Sequence, residues 1–289
     1  MIYLVAITIL WAFSFSLIGT YLAGQVDAYF SVLTRVTLAA AVFLPFIRRV
    51  PLSLAAKLMV LGAIQLGCMY VFYYQSFLLL TVPEVLIFTI LTPIYVTLIF
   101  DLMQGRFSFR YLVTAVVAVL GAAIIRYSSI GDGIFSGFLV VQGANICFAV
   151  GQVGYKVLLE RENLKLSQRG IFGYFYLGAL AVTLVTWVLF GNPEKLPTTS
   201  LQWEILLYLG LIASGLGYFF WNKGATKVDA GTLAIMNNAL VPAGLIVNLV
   251  IWNRDANLIR LSVGGAVLLF SLLLHEYWGK RQVLKPQAS

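Results

Sequence analysis

The sequence predicts an all-α integral membrane protein of ten transmembrane helices, arranged as two inverted five-helix repeats. Three observations carry that prediction. Roughly ten apolar stretches of 17–25 residues fill the 289-residue chain, and nearly every Lys and Arg falls in the short gaps between them. The composition is 61% hydrophobic and 10% charged with a mean hydropathy of +0.94, which is more apolar surface than a water-soluble domain can hide. Aromatic and proline motifs near the end of the first half also recur in the second at almost the same spacing.

A hydrocarbon layer about 30 Å thick takes about 20 helical residues at 1.5 Å each, and the chain divides accordingly. The first span, 2–24, carries no charged residue; the second, 29–47, ends at the pair Arg48-Arg49; the third, 58–80, starts after Lys57. The fourth, 83–103, contains Pro93 and stops before Arg106, and the fifth, 111–128, starts after Arg110. The sixth, 134–157, stops before Arg161; the seventh, 171–191, follows Arg169; the eighth, 201–224, stops before Lys227. The ninth, 230–251, contains Pro242, and the tenth, 257–278, stops before Lys280-Arg281.

Basic residues set the topology. With the N-terminus inside, twelve of the nineteen Lys and Arg fall in cytoplasmic segments and only Arg126, Lys195, Arg254 and Arg260 in external ones, which predicts a multi-pass membrane protein with both termini cytoplasmic. The net charge of +8 reflects this bias, so it predicts contact with membrane lipid and no nucleic-acid partner. The first apolar stretch has neither a basic leader nor a small-residue cleavage site and reads as a span, not a signal peptide. Cys68 and Cys147 lie inside spans, one per half, and read as small packing residues; His275 is the one histidine. Clusters of His, Cys, Asp or Glu for metal or acid–base chemistry are missing from the spans, which predicts no enzyme and no cofactor. Gly215-Leu216-Gly217 lies within a span and precedes no phosphate-binding helix start, so it reads as close helix packing, and no ATPase subunit is implied.

Ten spans divide into five and five, and an odd number per half makes the second half enter the membrane from the other side. The expected repeats are residues 1–130 and 131–289, forming one transmembrane domain. Phe72-Tyr73-Tyr74-Gln75 aligns with Phe219-Phe220-Trp221-Asn222, and each is followed by a proline in the next span, Pro93 after 18 residues and Pro242 after 20. Trp11-Ala12-Phe13 pairs more weakly with Phe148-Ala149-Val150. Two halves about a pseudo-two-fold axis enclose a site near the bilayer midplane.

These features, with the tryptophan-led first span, resemble the EamA-like branch of the drug/metabolite transporter superfamily. A closer resemblance, to its bacterial biotin importers, rests on Ile9-Leu10-Trp11-Ala12-Phe13-Ser14-Phe15-Ser16, on Tyr21-Leu22-Ala23-Gly24 with Val26-Asp27, and on Leu91-Thr92-Pro93. It continues through Asp229-Ala230-Gly231-Thr232, Ile235-Met236-Asn237-Asn238 and Val241-Pro242-Ala243-Gly244, nearly end to end. The resemblance implies a secondary transporter of the bacterial inner membrane importing biotin as its small-molecule substrate. The same fold also hosts exporters and importers of amino acids and other metabolites.

Candidate site residues come from the polar and aromatic positions inside spans. On span 6, Gln142, Asn145, Ala149, Gln152 and Lys156 follow a 3, 4, 3, 4 spacing and share one face. Amides facing lipid are costly, so the stripe faces a wet cavity or bonds neighbouring helices. Asn237 and Asn238 precede Pro242, where proline frees a carbonyl and bends the helix; one amide reaches a site or caps the bend. Tyr70, Tyr73 and Tyr74 share a face of span 3, as do Tyr218, Trp221 and Asn222 in span 8, and Trp11, Ser14 and Phe15 in span 1. Singly each ring reads as packing; as a set they form a pocket with apolar faces and hydroxyls.

Biotin offers such walls a ureido ring, a thiophane ring and a carboxylate, and the carboxylate needs a cation. Arg35 lies deepest and forks to match a carboxylate, or pairs structurally with Glu84. Lys156 and Lys223 lie near span ends, where they serve as anion partners or snorkel to headgroups. Glu84 is the nearest group to a protonatable coupling residue.

Overall fold

The computed structural model describes residues 1–80, 82–105, 134–162 and 167–252, with isolated positions in 107–120 and 259–277. The described regular structure is helical throughout. Seven described helices are long and apolar enough to cross a membrane. They begin with α1 (Ile2–Leu22), α2 (Ala28–Phe46) and α3 (Leu52–Leu79). The fourth crossing is broken into α4 (Val82–Phe88) and α5 (Thr92–Gln104) by a 3-10 turn at Thr89–Leu91. Then come α6 (Ile134–Glu162), α7 (Gln168–Phe190) and α8 (Ser200–Ala225), followed by the pair α9 (Ala230–Asn238) and α10 (Leu240–Trp252) at the position of the ninth expected span. The fifth and tenth expected spans lie largely outside the described residues.

Local chemistry places the helix starts. Asp27 accepts the Phe30 amide at 2.8 Å and opens α2, and Asp229 accepts the Thr232 amide at 2.8 Å and opens α9. Thr199 and Gln202 form a reciprocal capping box at α8. Gly105, at φ 62°, ends α5 in the left-handed conformation. The third crossing begins six residues before the expected position 58, at Leu52. Lys57 is thereby carried on the first turns of α3, where it pairs with Glu162 at 2.7 Å.

Consecutive helices run up and down. At one end the Asp27 amide donates to the Lys195 carbonyl at 2.7 Å, tying the α1–α2 and α7–α8 connections together. At the other, Arg48 donates its amide to the Gly170 carbonyl at 2.7 Å. Helices α3 and α7 cross with their backbones in contact: a Cβ on Gly62 would stand 1.8 Å from the Phe175 carbonyl oxygen, and one on Gly178 1.8 Å from that of Met59. Where lipid supplies no hydrophobic drive between helices, such close approach supplies the packing energy.

Regularity fails at matched places. Helix α3 widens into a π-helical segment at Ala63–Cys68, just before its aromatic motif, and α8 does so at Tyr208–Leu216, just before the aligned motif. The break at Thr89–Leu91 precedes Pro93, and the break at Ala239 precedes Pro242. Each pair coincides with the alignment read from sequence.

Because no side chain fits at the α3–α7 crossing, Gly178→Ala should lower stability by about 1–3 kcal/mol through overpacking. Thermal unfolding of the purified protein in detergent measures it, and an unchanged melting temperature would show that the crossing has slack.

Candidate functional site

A cavity sits where α1, α2, α3, α6, α8 and the two broken crossings converge. It offers about 100 Å³ to the centres of water-sized spheres. At about 10–15 Å³ per water centre and about 30 Å³ of liquid per water, that is room for roughly 200–300 Å³ of ligand, near the lower end of small-molecule pockets.

One wall is aromatic. Trp11 of α1 lies 4.8 Å from the Tyr218 ring and 5.0 Å from that of Trp221, with Phe148 of α6 at 5.9 Å. Phe15 meets Tyr73 edge to face at 5.3 Å, and Tyr70 meets Tyr218 at 5.6 Å. The rings are held by the π-helical segment of α8, whose wider turn offers carbonyls to side chains. Trp11 Nε1 donates to the Ala213 carbonyl at 2.8 Å, and Tyr176 Oη to those of Ser214 and Gly215 at 2.8 and 2.7 Å.

Arg35 occupies the α2 side, 3% exposed. Its Nε donates to Ser214 Oγ at 3.1 Å, Nη1 to Tyr74 Oη at 3.1 Å and Nη2 to Tyr70 Oη at 2.9 Å, while its carbon lies 4.3 Å from the centre of the Tyr70 ring. All these partners are neutral. The ion pairs among the described residues, Lys57 with Glu162 and Lys156 with Glu160, lie elsewhere, so the guanidinium faces the cavity without a carboxylate among the described residues. Glu84 stands half-buried in the first turn of α4, away from the cavity lining. Tyr73 Oη, by contrast, is buried with no hydrogen-bond partner among the described residues and lines the cavity.

The span 6 stripe divides between the two readings. Asn145 lines the cavity and also donates to the Phe88 carbonyl at 2.8 Å, the oxygen released where the fourth crossing breaks; Gln142 donates to it at 3.2 Å. Gln152 is wholly buried and clamps two neighbours: its Oε1 accepts from Trp221 Nε1 at 2.9 Å, and its Nε2 donates to Asn237 Oδ1 at 3.2 Å. Lys156 donates to the Val228 carbonyl and pairs with Glu160, both at 2.7 Å, which places its ammonium outside the cavity. Lys223 lies over the rings of Tyr3 and Phe219 at 5.4 and 5.7 Å, near the end of α8.

Of the adjacent asparagines, Asn237 lines the cavity, and Asn238 donates across to the Ile90 carbonyl at 3.1 Å, joining the two broken crossings. Tyr74 supports Arg35 from behind the wall, and Asn222 bonds its own helix through the Tyr218 carbonyl at 3.0 Å. Trp11, Ser14, Phe15, Arg35, Tyr70, Tyr73, Asn145, Tyr218, Trp221 and Asn237 therefore share the cavity, and Tyr74, Gln152, Lys156, Asn222 and Asn238 do not line it. Among the cavity and its supports, Ser214, Phe148, Thr89 and Thr92 escaped the sequence reading. Ser214 sits four residues before Tyr218 and seven before Trp221, a face the helical spacing could have extended. Thr89 and Thr92 donate to the Leu86 and Thr89 carbonyls, each at 2.7 Å, and secure the broken turn.

Residues 135–277 match the EamA-like transporter family. A relative in Pseudomonas aeruginosa, named as a probable biotin transporter, is 56% identical over 97% of this chain and 99% of its own length. The chain belongs to the EamA-like transporter family. Biotin transporters of Salmonella typhimurium and Escherichia coli are 54% and 52% identical, each over 95% of this chain and 92% of their own. A protein of known crystal structure, 18% identical, superposes with a TM-score of 0.76 over 96% of this chain and 98% of its own, which speaks to the fold alone. The chain is thus a multi-pass membrane transporter and not an enzyme.

Gln152→Leu strands the Trp221 indole N–H and Asn237 Oδ1, while Asn237 Nδ2 keeps the Leu233 carbonyl, so stability in detergent should fall by about 1–3 kcal/mol for each group left unpaired. A melting temperature equal to wild type would mean that neither group depends on the clamp.

Proposed function

We propose that this transporter imports biotin across the bacterial inner membrane, holding it at the bilayer midplane between two inverted five-helix repeats, residues 1–130 and 131–289. The observation that carries the reading is a buried guanidinium, bonded only to neutral hydroxyls among the described residues, at the edge of an aromatic cavity. Names of relatives 52–56% identical supply the substrate. The matched π-helical segments and matched breaks before Pro93 and Pro242 support the repeat. Twelve basic residues in the segments on the N-terminal side support cytoplasmic termini.

The chemistry fits the parts of the ligand. Trp11, Tyr218 and Trp221 offer faces to the fused rings, Asn145 and Asn237 offer amides to the ureido group, and Arg35 with the unpaired Tyr73 hydroxyl meets the carboxylate. An amino acid would bring an ammonium as well. Arg35 is the one charged residue among the described residues lining the cavity, which favours a monocarboxylate with an apolar body over a zwitterion.

Uptake of labelled biotin by a biotin-auxotrophic strain dependent on this gene tests the substrate; growth and uptake indistinguishable from a strain lacking the gene would sink it. For the anchor, hydrogen bonds to a charged group are worth about 1.5–3 kcal/mol, so Arg35→Lys should weaken biotin binding about 10- to 100-fold. Its affinity for the neutral amide of biotin should barely change. Equal losses for both ligands would make the charge structural.

Tyr73→Phe removes a buried hydroxyl with no hydrogen-bond partner among the described residues, so the melting temperature of the unliganded protein should not fall. Biotin affinity should drop several-fold. Unaltered affinity would take Tyr73 out of the site.

A further inference from the structure

A secondary transporter that accumulates an anion against an inside-negative potential needs a source of work, and the cavity walls narrow what that source is. Among the described residues they consist of rings, aliphatic side chains, hydroxyls, two amides and one cation. None of the described residues lining the cavity is Asp, Glu, His or Lys, so none is a group that gains a proton on one side of the membrane and releases it on the other, or an acidic oxygen for a metal cation. The one ionisable group with a fixed charge, Arg35, is a guanidinium that stays protonated throughout the physiological range. The positive charge is therefore present whether or not substrate is bound.

That charge bears on the empty carrier. To change sides, the cavity passes through a state closed to water at both ends, and closure strips solvent from whatever charge lies inside. With a carboxylate on Arg35 the closed cavity holds a neutral pair. Without one, the guanidinium keeps Tyr70, Tyr74 and Ser214, whose oxygens accept its hydrogen bonds but carry no compensating charge. The empty closed state is the costly one, so the loaded crossing is fast and the empty return is slow.

Resting on the biotin reading above, we propose that the transporter is an anion exchanger: Arg35 crosses only when paired, and each biotin that enters is matched by a monocarboxylate that leaves. The exchange moves no net charge. The membrane potential then neither opposes nor drives it, and the outward gradient of the counter-anion supplies the work of accumulation.

The test uses the purified protein in proteoliposomes, with biotin as its own counter-anion. Binding is followed first by the fluorescence of Trp11 and Trp221, which line the cavity. Initial uptake of labelled biotin is then compared between vesicles preloaded with unlabelled biotin and vesicles holding only potassium sulfate. The expected result is uptake at least ten times faster into the preloaded vesicles, unchanged when valinomycin sets the potential. Arg35→Gln removes the charge and should bring the two rates close together, at a higher biotin concentration. Intact binding with equal wild-type rates overturns the exchange while leaving the biotin site standing. So does concentrative uptake driven by a proton gradient alone and abolished in Glu84→Gln. Failure to bind biotin overturns the substrate reading and the exchange that rests on it.

Discussion

Backbone carbonyls released where helices depart from regularity are the constraint on which the rest of this structure depends. Hydrocarbon offers them no partner, so each must find one within the protein. The π-helical segment of α8 gives its oxygens to Trp11 and Tyr176; the broken fourth crossing gives those of Phe88 and Ile90 to Asn145, Gln142 and Asn238. Two of these side chains, Trp11 and Asn145, also line the cavity, so the irregular backbone and the pocket share parts. Gln65, in the π-helical segment of α3 and pressed against Gly151 of α6, is buried with neither end of its amide bonded among the described residues.

The second constraint is electrostatic. A guanidinium buried among helices meets three hydroxyl oxygens and the face of Tyr70, which bond it without cancelling its charge. Two of those hydroxyls, on Tyr70 and Tyr74, come from one face of α3, one turn apart, and the third comes from Ser214 in the widened turn of α8. Charge, aromatic wall and π-helical segment are thus mutually dependent, and a change to any one disturbs the others.

Much of the fold was legible because charge and hydropathy act over whole spans: the positions of Arg48, Arg106 and Lys227 bracket helix ends to within a few residues, whereas Lys57 lies inside the helix it was expected to precede. The aromatic faces of spans 1, 3 and 8 were legible for the same reason, since i, i+3, i+4 spacing fixes which rings share a side. What the sequence did not display is how polar groups partition among competing partners. Gln152 and Asn145 lie seven residues apart on one stripe, yet one clamps Trp221 and the other borders the cavity, because only Asn145 stands level with the broken turn. The π-helical segments have no one-letter signature, and Ser214 owes its place to one of them. Asn238, nearer the proline, turns to Ile90 because two adjacent helical residues point about 100° apart and Asn237 takes the cavity side.

The backbone contact between α3 and α7 joins residues from the two proposed halves of the chain. At Gly62 and Gly178 each helix meets a carbonyl oxygen of the other with no side chain between them, so neither can slide along its partner without a collision. The crossing fixes the height of the two helices against one another, so a shift of α3 along its axis would have to carry α7 with it.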